Sequence, residues 1–139
     1  MRRCLIVANQ TLTSPQLLAQ VRARLASDEC EFHVVVPATP PHDHAVWTEG
    51  EGVAHARLVL ENALKTFHDE GIDATGEVGD ENPVLAVGDV LNQRAVDEII
   101  LSTLAPGVSK WLKRDLPHRL VRRFELPVTH VVAEHERVD

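Results

Sequence analysis

The side chains able to do chemistry gather in one part of this chain, between residues 97 and 132. An apolar run at 98–101 ends in two hydroxyls, Ser102 and Thr103. A loop with Pro106, Gly107 and Ser109 follows, then a basic segment with Lys110, Lys113, Arg114, Arg119, Arg122 and Arg123. Hydroxyls, a glycine that admits close backbone approach and charge-assisted donors together can hold a phosphate or another small anion. Asn9 and Thr11 follow the first apolar run, and an Asn side chain can hydrogen-bond an adenine edge or a ribose. Val36, at the end of the second apolar run, is grouped with them. The expected ligand-contact set is thus Asn9, Thr11, Val36, Ser102, Thr103, Gly107, Ser109, Lys110, Lys113 and Arg114.

Each of these has a plainer reading. Leu112, Leu116, Leu120 and Phe124 recur every four residues, so the cations also suit the solvated face of an amphipathic helix. Ser102 and Thr103 suit a simple strand end, and Asn9 suits an Asx-turn. His42, Asp43 and His44 have zinc-binding chemistry, but structural zinc takes four ligands and no distant partners are identifiable. No metal site is expected. Catalytic motifs are missing too: the chain has no Gly-x-Ser-x-Gly elbow and no Walker loop. A phosphorylatable response-regulator site would need an acid where Asn9 stands, and Asp80 alone does not make one.

These residues need elements to position them. Residues 3–8, 32–36, 72–78, 98–101 and 128–133 read as strands, the third polar enough for a sheet edge. Ser14 before Pro15 opens a helix that runs to about residue 27. A longer helix spans roughly 48–70, with Gly71 as its C-cap. A third begins after Asp80, which is expected to cap it, and ends near residue 94. One or two helical pieces fill the basic segment, restarted by Asp115 and Pro117. Residues 38–50, rich in Pro, His and Asp, form a loop long enough to suggest a function. Trp47 in that loop is expected to pack against the sheet rim.

Alternating strands and helices predict an α/β fold with a parallel sheet. Right-handed crossovers make it a single doubly wound domain over residues 1–139. Five strands in the order 3-2-1-4-5, with helices on both faces, place a crevice between strands one and four, where strand order reverses. The exits at Asn9 and Ser102 would then face each other.

Bulk properties narrow the partners. A net charge of −7 argues against nucleic acid or an anionic membrane as a general partner. No run approaches the ~18 apolar residues of a membrane span. The start of the chain lacks a signal-peptide core, so a cytoplasmic setting is expected. There Cys4 and Cys30 stay reduced, Cys4 as a small core residue.

Three motifs resemble the universal stress protein family, in order, across essentially the whole chain. GEVGDENP at 76–83 is similar to the family's turn between strand three and its helix. DEIILS at 97–102 resembles strand four, and RRFELPVTHVV at 122–132 resembles the ending into strand five. The resemblance implies a domain that commonly dimerises through strand five, and of which some members bind ATP. Those members carry Gly-x2-Gly-x9-Gly-Ser or Thr after strand four. Here only Gly107 follows Ser102 and Thr103, and Arg114-Asp115 stands where Gly-Ser would fall. Asn9 replaces the acid that ATP-binding members carry after strand one. These departures count against ATP or another adenine nucleotide bound in the family's usual manner.

The reading that results is a non-catalytic, universal-stress-like protein with a nucleotide or small-anion crevice between strands one and four. It is expected to be a homodimer through Val128–Val132, because an edge strand without Pro or Lys in its middle invites pairing with a twin. Two alternatives stand beside it. One is a ligand-free dimeric module read by a partner protein, its crevice closed by an Arg114–Asp115 ion pair. The other is a weak nucleotide hydrolase dependent on Ser102 and Lys110.

Overall fold

The computed structural model describes residues 1–38, 49–105 and 109–133. In chain order the elements are β1 (Arg2–Val7), α1 (Pro15–Ser27), β2 (Cys30–Pro37), α2 (Glu49–Asp69), β3 (Ala74–Gly79), α3 (Pro83–Leu91), β4 (Glu98–Thr103), α4 (Lys110–Lys113), α5 (Leu116–Phe124) and β5 (Val128–Val132). The strands form one sheet in the order β3-β2-β1-β4-β5, and every pairing is parallel. The expected α/β doubly wound architecture is what the chain adopts.

Period-two alternation along the strands divides the core in two. Cys4, Ile6, Phe32, Val34, Val36 and Ile100 face Leu17 and Val21 of α1 and Ala56, Leu60 and Phe67 of α2. Leu5, Val7, Val35, Ile99 and Leu101 face α3, Trp111 of α4 and Leu116 and Leu120 of α5. Burial on both faces explains why β1 and β4 read as continuous apolar runs rather than alternating ones.

Several boundaries follow from local chemistry. Ser14 Oγ accepts the Leu17 amide at 3.2 Å, and Pro15 stands at the start of α1 where its missing N–H costs nothing. Gly71, at φ +78°, takes the left-handed turn after α2 that a side chain would resist. Gly79 is needed for a different reason. A Cβ there would lie 2.7 Å from Ala86 Cβ and 2.9 Å from Val35 Cγ2, so its absence lets α3 close onto β2 and β3.

Three local expectations change. Asn82, not Asp80, caps α3: its side chain accepts the Val84 amide at 3.0 Å because Pro83 takes the first helical position. Asp80 instead accepts the Asn82 amide at 2.8 Å, closing the turn before the cap. Asp115 makes no side-chain cap bond to α5; at φ 54° its carboxylate accepts from His118 Nδ1 at 2.7 Å. That left-handed residue separates α4 from α5. Strand four runs two residues beyond Leu101, because β5 continues alongside and pairs Ser102 with Val131 and Thr103 with Val132.

Candidate functional site

The polar exits of β1 and β4 do meet. Thr11 Oγ1 and Ser102 Oγ are 2.6 Å apart and buried, a hydroxyl pair spanning the point where strand order reverses. Beside them Asn9 Nδ2 donates to the Pro37 carbonyl at 2.8 Å, tying the exit of β1 to that of β2. Asn9, Thr11, Ser102, Thr103 and Ser109 are all buried, in a molecule whose other buried positions are overwhelmingly apolar. Buried polar groups need partners, and each of these residues makes at least one hydrogen bond.

Thr103 is divided from that group by strand geometry. Adjacent side chains on a strand point to opposite faces, so Ser102 goes to the α1–α2 side and Thr103 to the α3–α5 side. Thr103 Oγ1 donates to the Leu104 carbonyl at 2.8 Å. Its one proton is then spent, so His130 Nε2, also 2.8 Å away, must donate to it. This fixes the imidazole with a proton on Nε2, and burial depresses its pKa below the ordinary value.

The remaining expected contacts separate further. Ser109 Oγ accepts the Leu112 amide at 3.3 Å and is the cap of α4. Val36 is core, packed with the α1–α2 cluster. Lys113 and Arg114 are exposed, and among the described residues neither makes an ion pair. The Arg114–Asp115 pair that would close the crevice is not formed, since the Asp115 carboxylate engages His118. Gly107, the His42–His44 trio, Trp47 and the Lys110 side chain lie outside the described residues. Among the described residues no His, Cys, Asp and Glu cluster has the makings of a metal site. No described helix is long and apolar enough to cross a membrane.

A buried charged cluster lies at the opposite, amino-terminal end of the sheet, and sequence reading missed it. Glu98 is 3% exposed, yet it takes Arg2 Nη2 at 3.0 Å, Cys4 Sγ–H at 3.1 Å and the Arg24 Nε–H. Arg24 also donates to the Gln20 carbonyl at 3.1 Å and to Thr129 Oγ1 at 3.0 Å, so α1 is bonded to β4 and β5 at once. Burial by itself would raise the Glu98 pKa. The bonds from Arg24 and Cys4 and the two guanidinium charges outweigh it and hold the carboxyl below its ordinary value. The Cys4 thiol moves the other way, pushed up by burial and by its bond to Glu98, and is therefore an unreactive donor. The available signal was an acid opening a buried strand, opposite an Arg-rich start of strand one.

A second cluster, also missed, involves His33 in β2. Its Nδ1 is 2.7 Å from Thr75 Oγ1 and its Nε2 is 2.8 Å from Glu77 Oε1, both on β3. The signal in this case was a histidine inside an apolar run.

No protein-family model and no curated protein sequence matches the chain. A search of solved structures finds a universal stress protein from Archaeoglobus fulgidus that is similar in fold, with a TM-score of 0.61. The likeness covers 94% of this chain and 93% of that one at 16% identity. At that identity the likeness speaks for the fold.

Proposed function

We propose that this chain is a universal-stress-like binding domain whose β1–β4 crevice holds a small anion or nucleotide without transforming it. One observation carries the reading: the buried polar residues Asn9, Thr11 and Ser102 converge where strand order reverses in a 3-2-1-4-5 sheet. Ligands of open α/β sheets bind at that point. Apolar residues would fill the same space without the cost of burying hydroxyls. Lys113 and Arg114, exposed on the segment that follows β4, supply positive charge for an anionic ligand. The likeness to the archaeal stress protein supports this class of role.

Isothermal calorimetry with ATP, ADP, AMP, a cyclic nucleotide and inorganic phosphate tests it. Saturable binding weakened by Thr11→Val or Arg114→Ala is the expected result, and heats of dilution alone for all five would overturn it. A second reading then takes over, in which the domain is a ligand-free module read by a partner protein. The observation favouring that reading is that Thr11 and Ser102 already bond to each other and Thr103 to His130.

We also propose that the protein is a dimer through the open side of β5. Among the described residues β5 pairs only with β4, and an outer strand of this kind offers unpaired backbone groups to a twin.

A further inference from the structure

The crevice does not involve His33, and the surroundings of that residue are arranged for a different task. β2 is otherwise apolar from Phe32 to Val36, and His33 is 6% exposed. Glu77 can only accept when ionised, so a neutral His33 carries its proton on Nε2, toward Glu77 Oε1 at 2.8 Å. Nδ1 is then a bare acceptor, and the Thr75 hydroxyl 2.7 Å away donates to it. His33 and Thr75 are register partners on neighbouring strands, and Glu77 is the next residue on that face of β3. Thr75 itself is exposed. The order is carboxylate, imidazole, solvent-facing hydroxyl, the arrangement that turns an alcohol into a nucleophile when a base takes its proton and an acid fixes the base's tautomer.

We infer that Thr75, His33 and Glu77 form an acyl-transfer relay on the β2–β3 face, able to react with small activated acyl esters. Thr75 Oγ attacks the ester carbonyl while His33 Nδ1 takes the hydroxyl proton. The bond to the leaving alkoxide breaks, and His33 returns that proton to it, releasing an alcohol and leaving an acyl ester on Thr75. Water, deprotonated by the same Nδ1, then releases the carboxylic acid and restores the hydroxyl. Glu77 holds the ring and faces the imidazolium formed in each step without taking a proton. Among the described residues β3 is an outer strand, and the backbone N–H groups it does not pair with β2 are of the kind that stabilise an oxyanion.

The experiment uses the full chain with a fluorophosphonate probe and, separately, p-nitrophenyl acetate. Peptide mass spectrometry is expected to find the phosphonyl group on Thr75, and acetate ester cleavage to accompany it. His33→Gln should slow labelling by ~100-fold, the usual worth of a positioned general base. Thr75→Val should abolish labelling, and Thr75→Ser should restore it. Circular dichroism establishes that each variant is folded. Should His33→Gln fail to fold, Glu77→Gln gives the same comparison. A purely structural network would alter thermal stability in these variants but give no labelled Thr75. Absence of label on Thr75 in the folded wild type, or equal labelling in folded His33→Gln or Glu77→Gln, overturns the inference. Neither outcome bears on nucleotide binding at the crevice.

Discussion

Replacing Glu98 by glutamine isolates the buried ion cluster. The substitution keeps shape and removes the charge, so the three donors that converge on the carboxylate lose an anionic acceptor. Arg2 is 45% exposed and can turn to water at little cost. Arg24 is only 16% exposed and is held by Gln20 and Thr129, so its charge stays where it is, half-compensated. Breaking a buried pair by removing one partner costs 3–5 kcal/mol; with Arg2 free to relax, we expect about 3 kcal/mol. In a domain of this size that lowers the melting temperature by roughly 10 °C. Urea unfolding should show a lower midpoint at unchanged slope. The double variant Arg24→Met with Glu98→Leu should recover most of the loss, because apolar groups of similar volume can replace a buried pair. The pH response follows from the depressed folded pKa of Glu98. Its contribution is present above the unfolded value of about 4.3 and disappears as pH falls through the lower folded value, so the variant should show a flatter acid limb. A loss under about 0.5 kcal/mol, the scale of an ordinary surface substitution, would refute the view that the cluster locks α1 to β4 and β5.

Gly79→Ala should destabilise by about 1–3 kcal/mol through overpacking against Ala86 and Val35, measurable by thermal denaturation. Asn82→Ala should cost about 1 kcal/mol in chemical unfolding as a lost helix cap, with Asp80→Ala costing less. Ser102→Ala leaves the buried Thr11 hydroxyl without its partner and should cost about 1–3 kcal/mol in the same assay. For the dimer, Val132→Lys is the fitting probe, since Val131 is 6% exposed and its replacement would damage the core as well. Light scattering should find a dimer in the wild type and a monomer in Val132→Lys; a monomeric wild type at micromolar concentration removes the proposal.

The part of the chain between residues 97 and 132 shows how far sequence goes. Its apolar runs, its four-residue leucine repeat and its Pro and Gly punctuation were sufficient to set strand, helix and sheet order. Period and length are local properties, and a doubly wound sheet is the arrangement that buries such runs on both faces. The meeting of the β1 and β4 exits followed from that topology alone.

Which side chains bond within the meeting was not legible. Ser102 and Thr103 are neighbours in sequence but turn to opposite faces, because the strand continues through both of them. Glu98 and Arg24 are 74 residues apart in sequence, and His33 and Glu77 are 44 apart. Pairs of that separation depend on register between strands and on the docking of a helix, which no local pattern encodes. Local periodicity set the layers and their order. Packing selected which buried polar groups are partners, because only docked elements bring a carboxylate to its guanidinium or a hydroxyl to its imidazole.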